Sequence, residues 1–109
     1  MHIEVRLGEA LPLRFEFTTT AAPVQAEGTI AGRPFYFRAR HDAWTLSVAD
    51  QPGSDPVDID SAAAAEGRGW FRSGSVGMRR EERASYLSVE EATEIIRRCA
   101  AEYIAERTA

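Results

Sequence analysis

The residues able to do chemistry are few and scattered along the chain. His41-Asp42 is the only adjacent pair of a histidine and an acid. A general base oriented by a carboxylate needs these two types. Neighbours on a strand point to opposite faces, however, and Asp42 stands where a turn favours aspartate. The pair therefore reads as a strand end followed by a turn. His2 is the only other histidine and Cys99 the only cysteine, so neither an internal disulfide nor a multi-cysteine metal motif is expected. The acids Asp50, Asp55, Asp58, Asp60 and Glu66 have the carboxylates of a calcium loop. They lack its central glycine and alternating ligands, and read as loop acids and a helix cap. Cys99 falls on the apolar side of a helical pattern, where a thiol behaves as a small hydrophobe rather than a nucleophile. No Gly-x-Ser-x-Gly, Gly-x-Gly-x-x-Gly or Walker pattern occurs, and Gly67-Arg68-Gly69 and Gly74-Ser75-Val76-Gly77 are loop signals. The reading names no catalytic residue, no metal ligand and no cofactor.

Two surface features remain. The segment from Arg68 to Tyr86 gathers Arg68, Arg72, Arg79, Arg80 and Arg83 around Trp70, Phe71 and Tyr86. Arginine with aromatics is the composition of protein-interface hot spots and also of single-strand nucleic-acid platforms. The bland alternative is a solvated loop with Trp70 and Phe71 plugging the core edge. The weight of the arginines is reduced because the chain has thirteen of them, eighteen alanines, no lysine and no asparagine, a pattern of codon bias in a GC-rich genome. The second feature is an outward row of Tyr36, Arg38 and Arg40. Its bland alternative is cross-strand charge pairing with Glu16 and Glu27.

The elements that must position these residues follow from periodicity. Ile3, Val5 and Leu7, then Leu13, Phe15 and Phe17, alternate with polar residues as in half-buried antiparallel strands. Further strands are predicted from Val24 to Ile30, Arg33 to His41 and Trp44 to Val48. Ala31-Gly32 and Asp42-Ala43 are taken as two-residue hairpin loops. These loops pair Gly28 with Phe35, Ala26 with Phe37, His41 with Trp44, Ala39 with Leu46 and Phe37 with Val48, all on one face. Glu27, Thr29, Tyr36, Arg38, Arg40, Thr45 and Ser47 fall on the other. Asp50 to Pro56 is a loop. A short helix capped by Asp60 or Ser61 ends at Gly67, Trp70-Phe71 forms a brief sixth strand, and Ser73 to Arg83, glycine-rich and then charged, is expected to be mobile. Ser88 and Glu91 form a capping box, and Leu87 with Ala92 a hydrophobic staple, at the start of a C-terminal helix. Its apolar side carries Ala92, Ile95, Ile96, Cys99 and Tyr103. Glu94 and Arg98 are placed for an i,i+4 ion pair.

The fold class expected is α+β. Five or six largely antiparallel strands form one sheet, with an amphipathic helix packed on its apolar face, in a single domain over residues 1–109. Hydrophobic residues make up 44% and charged residues 28%, as in a folded globular chain, and the net charge of −4 does not make nucleic acid the default partner. No run approaches the ~18 apolar residues of a membrane span, and the first residues lack signal-peptide anatomy, so a cytoplasmic location is expected. With no chemistry to assign, the functional reading is a small non-enzymatic binding protein. It would be an inhibitor or adaptor occupying a surface of a larger protein partner, of the size and character of immunity or phage anti-defence proteins. The alternatives are a small-molecule or enzymatic site between helix and sheet near His41, Trp44 and Tyr103, and nucleic-acid binding through Arg68 to Arg83.

Overall fold

The computed structural model describes residues 2–7, 11–20, 24–40, 43–75 and 87–108. Six strands run in chain order as an antiparallel meander. They are β1 (His2–Leu7), β2 (Leu11–Thr20), β3 (Val24–Ile30), β4 (Arg33–Arg40), β5 (Ala43–Val48) and β6 (Trp70–Ser75). Between β5 and β6 lie a single 3₁₀ turn, Pro56–Asp58, and a short helix α1 (Ser61–Ala65). The chain closes with α2 (Val89–Thr108) across one face of the sheet.

The β3–β4 hairpin has the predicted register, with Gly28 opposite Phe35 and Ala26 opposite Phe37. Ala31 and Gly32 between the strands have φ of 51° and 83°, the paired positive values of a type I′ turn, whose twist matches that of the strands. The β4–β5 hairpin departs from the prediction by two residues. Ala39 pairs with Trp44, Phe37 with Leu46, Phe35 with Val48, and Arg40 with Ala43. Moving a two-residue loop one place along the chain shifts the pairing by two, and a shift of two leaves every side chain on its face. Alternation therefore cannot distinguish the two registers. In the observed one the Trp44 ring stacks on Phe37 at 6.3 Å, and Val48 stands between Phe35 and Trp70. His41 and Asp42 lie outside the described residues.

β6 is longer than predicted. Ser73, Gly74 and Ser75 continue the strand opposite Thr45, Trp44 and Ala43. Gly74 belongs there because it leaves room for the Trp44 indole, which would lie 2.7 Å from an added Cβ.

The apolar residues of the strands meet those of α2. Leu13, Phe15, Val24, Ile30, Phe35, Phe37, Leu46 and Val48 on the sheet, and Ile96 on the helix, are fully buried. Glycine at position 28, between Phe15 and Phe35 on the flanking strands, lets their rings meet edge to face at 6.0 Å. Ala92, Ile95, Cys99, Ala100 and Tyr103 complete the helix side. The capping box forms as predicted: Ser88 Oγ accepts from Glu91 N at 3.0 Å, and Ser88 N donates to Glu91 Oε1 at 3.1 Å. Leu87 and Ala92 are both buried. Glu94 pairs with Arg97 at i,i+3 rather than with Arg98, a choice of little energetic weight at so exposed a site. Asp60, not Ser61, caps α1, accepting from Ala63 N at 2.8 Å. Ala49, Ile59 and Ala63 form a second small core there.

Candidate functional site

The described part of the Arg68–Tyr86 segment is divided between the two faces of the sheet. Trp70 is 3% exposed, packs edge to face on Tyr103 at 5.5 Å, and donates through Nε1 to Glu106 Oε1 at 3.0 Å. The Arg72 guanidinium lies over the Trp70 ring at 4.3 Å, pairs with Glu106, and reaches Glu102 at 3.4 Å. Phe71 alternates to the opposite face, across from Ser47. Arg68 bonds Glu66, two residues away. These residues do not compose one patch: Trp70 and Arg72 fasten β6 to α2, which a strand period of two at residues 70–72 already implies. Arg79, Arg80, Arg83 and Tyr86 lie outside the described residues.

A second fastening sits beside the first. The side chain of Asp50, just past the end of β5, is 7% exposed, and its Oδ2 accepts from Tyr103 Oη at 3.0 Å and from Arg107 Nε at 2.7 Å. Burial pushes the Asp50 carboxyl up, but the Arg107 and Tyr103 donors outweigh it and hold the pKa below the usual aspartate value. Burial and the Asp50 carboxylate push the Tyr103 hydroxyl up. The bond from Trp70, more than that from Arg72, holds Glu106 low. An open cleft of about 780 Å³ lies here, walled by Arg33, Asp50, Trp70, Tyr103, Glu106 and Arg107. Its acids are ionised and bonded to cations or ring donors, and its tyrosine keeps its proton. The arrangement suits anchoring of the helix end, with the second oxygen of Asp50, Oδ1, buried and without a hydrogen-bond partner among the described residues. Sequence reasoning gave Asp50, Glu106 and Arg107 no role here; their partners are 34 to 57 residues distant.

Of the site anticipated near His41, Trp44 and Tyr103, His41 lies outside the described residues, and Trp44 and Tyr103 are not brought together. Trp44 stands near the start of β5, on Phe37, while Tyr103 bonds to Asp50 beyond the other end of that strand. Core side chains fill the sheet–helix interface between them. Asp55 and Asp60 are caps, accepting from Val57 N and Ala63 N. Among the described residues no three acids, histidines or cysteines gather as metal ligands. Cys99 is buried, and its thiol is pushed up to about 12, chiefly by burial and then by Glu102.

The sheet face turned away from α2 is different. One row across it runs His2–Glu16–Glu27–Tyr36–Ser47–Phe71, and the next includes Gln25–Arg38–Thr45–Ser73. Charge pairing between Arg38 or Arg40 and Glu16 or Glu27 is not made. Glu16 stands directly opposite Glu27, Arg38 lies between Gln25 and Thr45, and Arg40 faces Ala43. Among the described residues these four charges form no ion pair, and the Arg38 Nε is buried without a hydrogen-bond partner. Ser47, expected to be exposed on this face, is covered instead: its Oγ donates to Pro56 O at 2.6 Å and ties down the loop after β5. Between that loop and the sheet runs a groove of about 750 Å³. Glu16, Glu27, Thr29, Pro34 and Tyr36 line one side, and Gly53 to Val57 the other. Val57 is 62% exposed, the one exposed large hydrophobic among the described residues.

No described helix is long and apolar enough to cross a membrane. Comparison with protein families, with curated proteins and with solved structures finds no match for this chain.

Proposed function

We propose that this chain is a small non-enzymatic binding protein, an inhibitor or adaptor, whose contact surface is the sheet face turned away from α2. One observation carries the reading. Where β6 and the end of β5 meet α2, Trp70, Arg72, Glu106, Asp50, Tyr103 and Arg107 are engaged with each other, whereas Arg38, Arg40, Glu16 and Glu27 on the open face have no ionic partner among the described residues. Unpaired charges of both signs around a half-buried tyrosine suit a protein surface of complementary potential. A nucleic-acid platform needs exposed aromatics beside free arginines. Trp70 is buried and Arg72 is paired, so these two residues of the Arg68–Arg83 segment do not form such a platform.

The test is capture of the partner from the native cell, comparing the parent with Arg38→Glu/Arg40→Glu. Binding should weaken at least ~10-fold, equivalent to ~1.4 kcal/mol, with the melting temperature little changed. Arg79→Glu/Arg80→Glu serves as the matched change in the segment that composition favours. Loss of binding in that variant alone would move the contact surface off the sheet face. A steep fall of affinity with salt, tracking co-purified nucleic acid, would refute the protein-partner reading.

A further inference from the structure

We infer that the groove between the open sheet face and the Gly53–Val57 loop seats an extended protein segment carrying one central basic side chain, which lies across Tyr36 with its charge between Glu16, Glu27 and Asp55. The inference rests on the open face being the contact surface and adds the chemistry of the occupant. The argument is one of complementarity. The groove wall holds three carboxylates and no cation. Glu16 and Glu27 are direct cross-strand neighbours, and like charges so placed repel; a cation between them removes that repulsion. Tyr36 is the register partner of Glu27 and lines the same groove, so an aromatic ring, a group that attracts cations, stands beside the carboxylates. Pro34, Pro56 and the exposed Val57 give the wall apolar surface for the methylene stem of an arginine or lysine.

The neighbouring row limits the charge of the occupant. Arg38 lies in the row beside Glu27 and Tyr36. It repels further positive charge, so a single basic residue with uncharged neighbours fits better than a basic run. The groove is large enough for such a stretch, being within the ~300–1,000 Å³ of ordinary ligand sites.

The experiment is backbone-amide NMR titration of the whole chain with two capped peptides, Thr-Val-Arg-Val-Thr and Thr-Val-Glu-Val-Thr. The arginine peptide should shift the amides of Glu16, Glu27, Tyr36, Asp55 and Val57 in a saturable way, and the glutamate peptide should not. Glu16→Gln/Glu27→Gln keeps shape and removes charge at exposed sites, and should weaken the arginine peptide at least ~10-fold. Val57→Ser should weaken it without touching the carboxylates. Absent shifts, shifts confined to other surfaces, or unchanged affinity in the Gln variant would overturn the inference. A glutamate peptide that maps onto Arg38 and Arg40 instead would overturn it while leaving the open face as the contact surface.

Discussion

Replacing Tyr103 by Phe removes one oxygen from the point where α2 is fastened to the sheet. The ring keeps its edge-to-face contact with Trp70 at 5.5 Å. Asp50 loses the hydroxyl that donates to Oδ2 at 3.0 Å and keeps only Arg107 Nε at 2.7 Å. Because the Asp50 side chain is 7% exposed, solvent compensates poorly for the lost donor. A hydrogen bond to a charged group contributes ~1.5–3 kcal/mol, and that is the expected loss of stability near pH 7. The pH dependence has a definite sign. Asp50 has a folded pKa held below its ordinary 3.8. Its contribution is complete above the unfolded value and is lost as the pH falls through the folded value. The cost of Tyr103→Phe should therefore be constant between about pH 5 and 7 and shrink as the pH falls below 3.8 and through the folded value, where the bond becomes a neutral one of roughly half the strength. Urea unfolding of parent and variant across this range measures it. A cost under ~0.5 kcal/mol at pH 7, or one that stays the same on acidification, would refute the assignment of this bond as a charge-assisted anchor.

Two further outcomes follow from burial. Gly28→Ala should cost more than ~3 kcal/mol in denaturant unfolding, beyond the common range for overpacking, since the added carbon meets the Arg14 carbonyl oxygen at 1.9 Å and the Phe15 Cα at 2.5 Å, both backbone; a variant as stable as the parent would sink the close β2–β3 approach. Cys99, with its thiol pushed up to about 12 by burial, should react with a thiol reagent only as fast as the chain opens, and rapid labelling of the native protein at mildly alkaline pH would contradict its place in the core.

What could be seen in the sequence was local or strictly alternating. The Ala31-Gly32 turn and the Ser88–Glu91 capping box are encoded within four residues, and both appear as predicted. Alternation placed Phe35, Phe37 and Leu46 inward and Tyr36, Arg38 and Thr45 on the opposite side. It could not choose between β4–β5 registers two residues apart, because both bury the same side chains. The pairing of Glu16 with Glu27 depends on β2–β3 register, which shifts between Phe17 and Thr19 at an irregularity that no residue pattern announces. The fastening of Asp50 to Tyr103 and Arg107 spans 53 and 57 residues, so Asp50 looked like one loop acid among several. Composition misled at Trp70 and Arg72: the types suit an interface, but the strand period turns both toward α2.

The contrast between the two sheet faces bears on where function resides. On the helix side, Trp70, Arg72, Glu106, Asp50, Tyr103 and Arg107 are each engaged in bonds whose loss is measurable as stability. On the open side, two glutamates face each other, and the Arg38 Nε is buried without a partner among the described residues, as Asp50 Oδ1 and Thr93 Oγ1 also are near α2. An unsatisfied buried donor costs ~1–3 kcal/mol in a fold whose total stability is typically only ~5–15 kcal/mol. Exchanging Glu27 for Thr or Gln would remove the repulsion without disturbing the core. Folding alone therefore does not account for these choices. Where a sequence departs from what its fold requires, function is the usual reason, and on the open face the departures are the facing Glu16 and Glu27 and the buried Arg38 Nε. A binding face makes a specific demand of them: Glu27→Thr should leave the chain as stable as before or more so while weakening its partner, and a variant that gains stability without losing binding would detach this face from function.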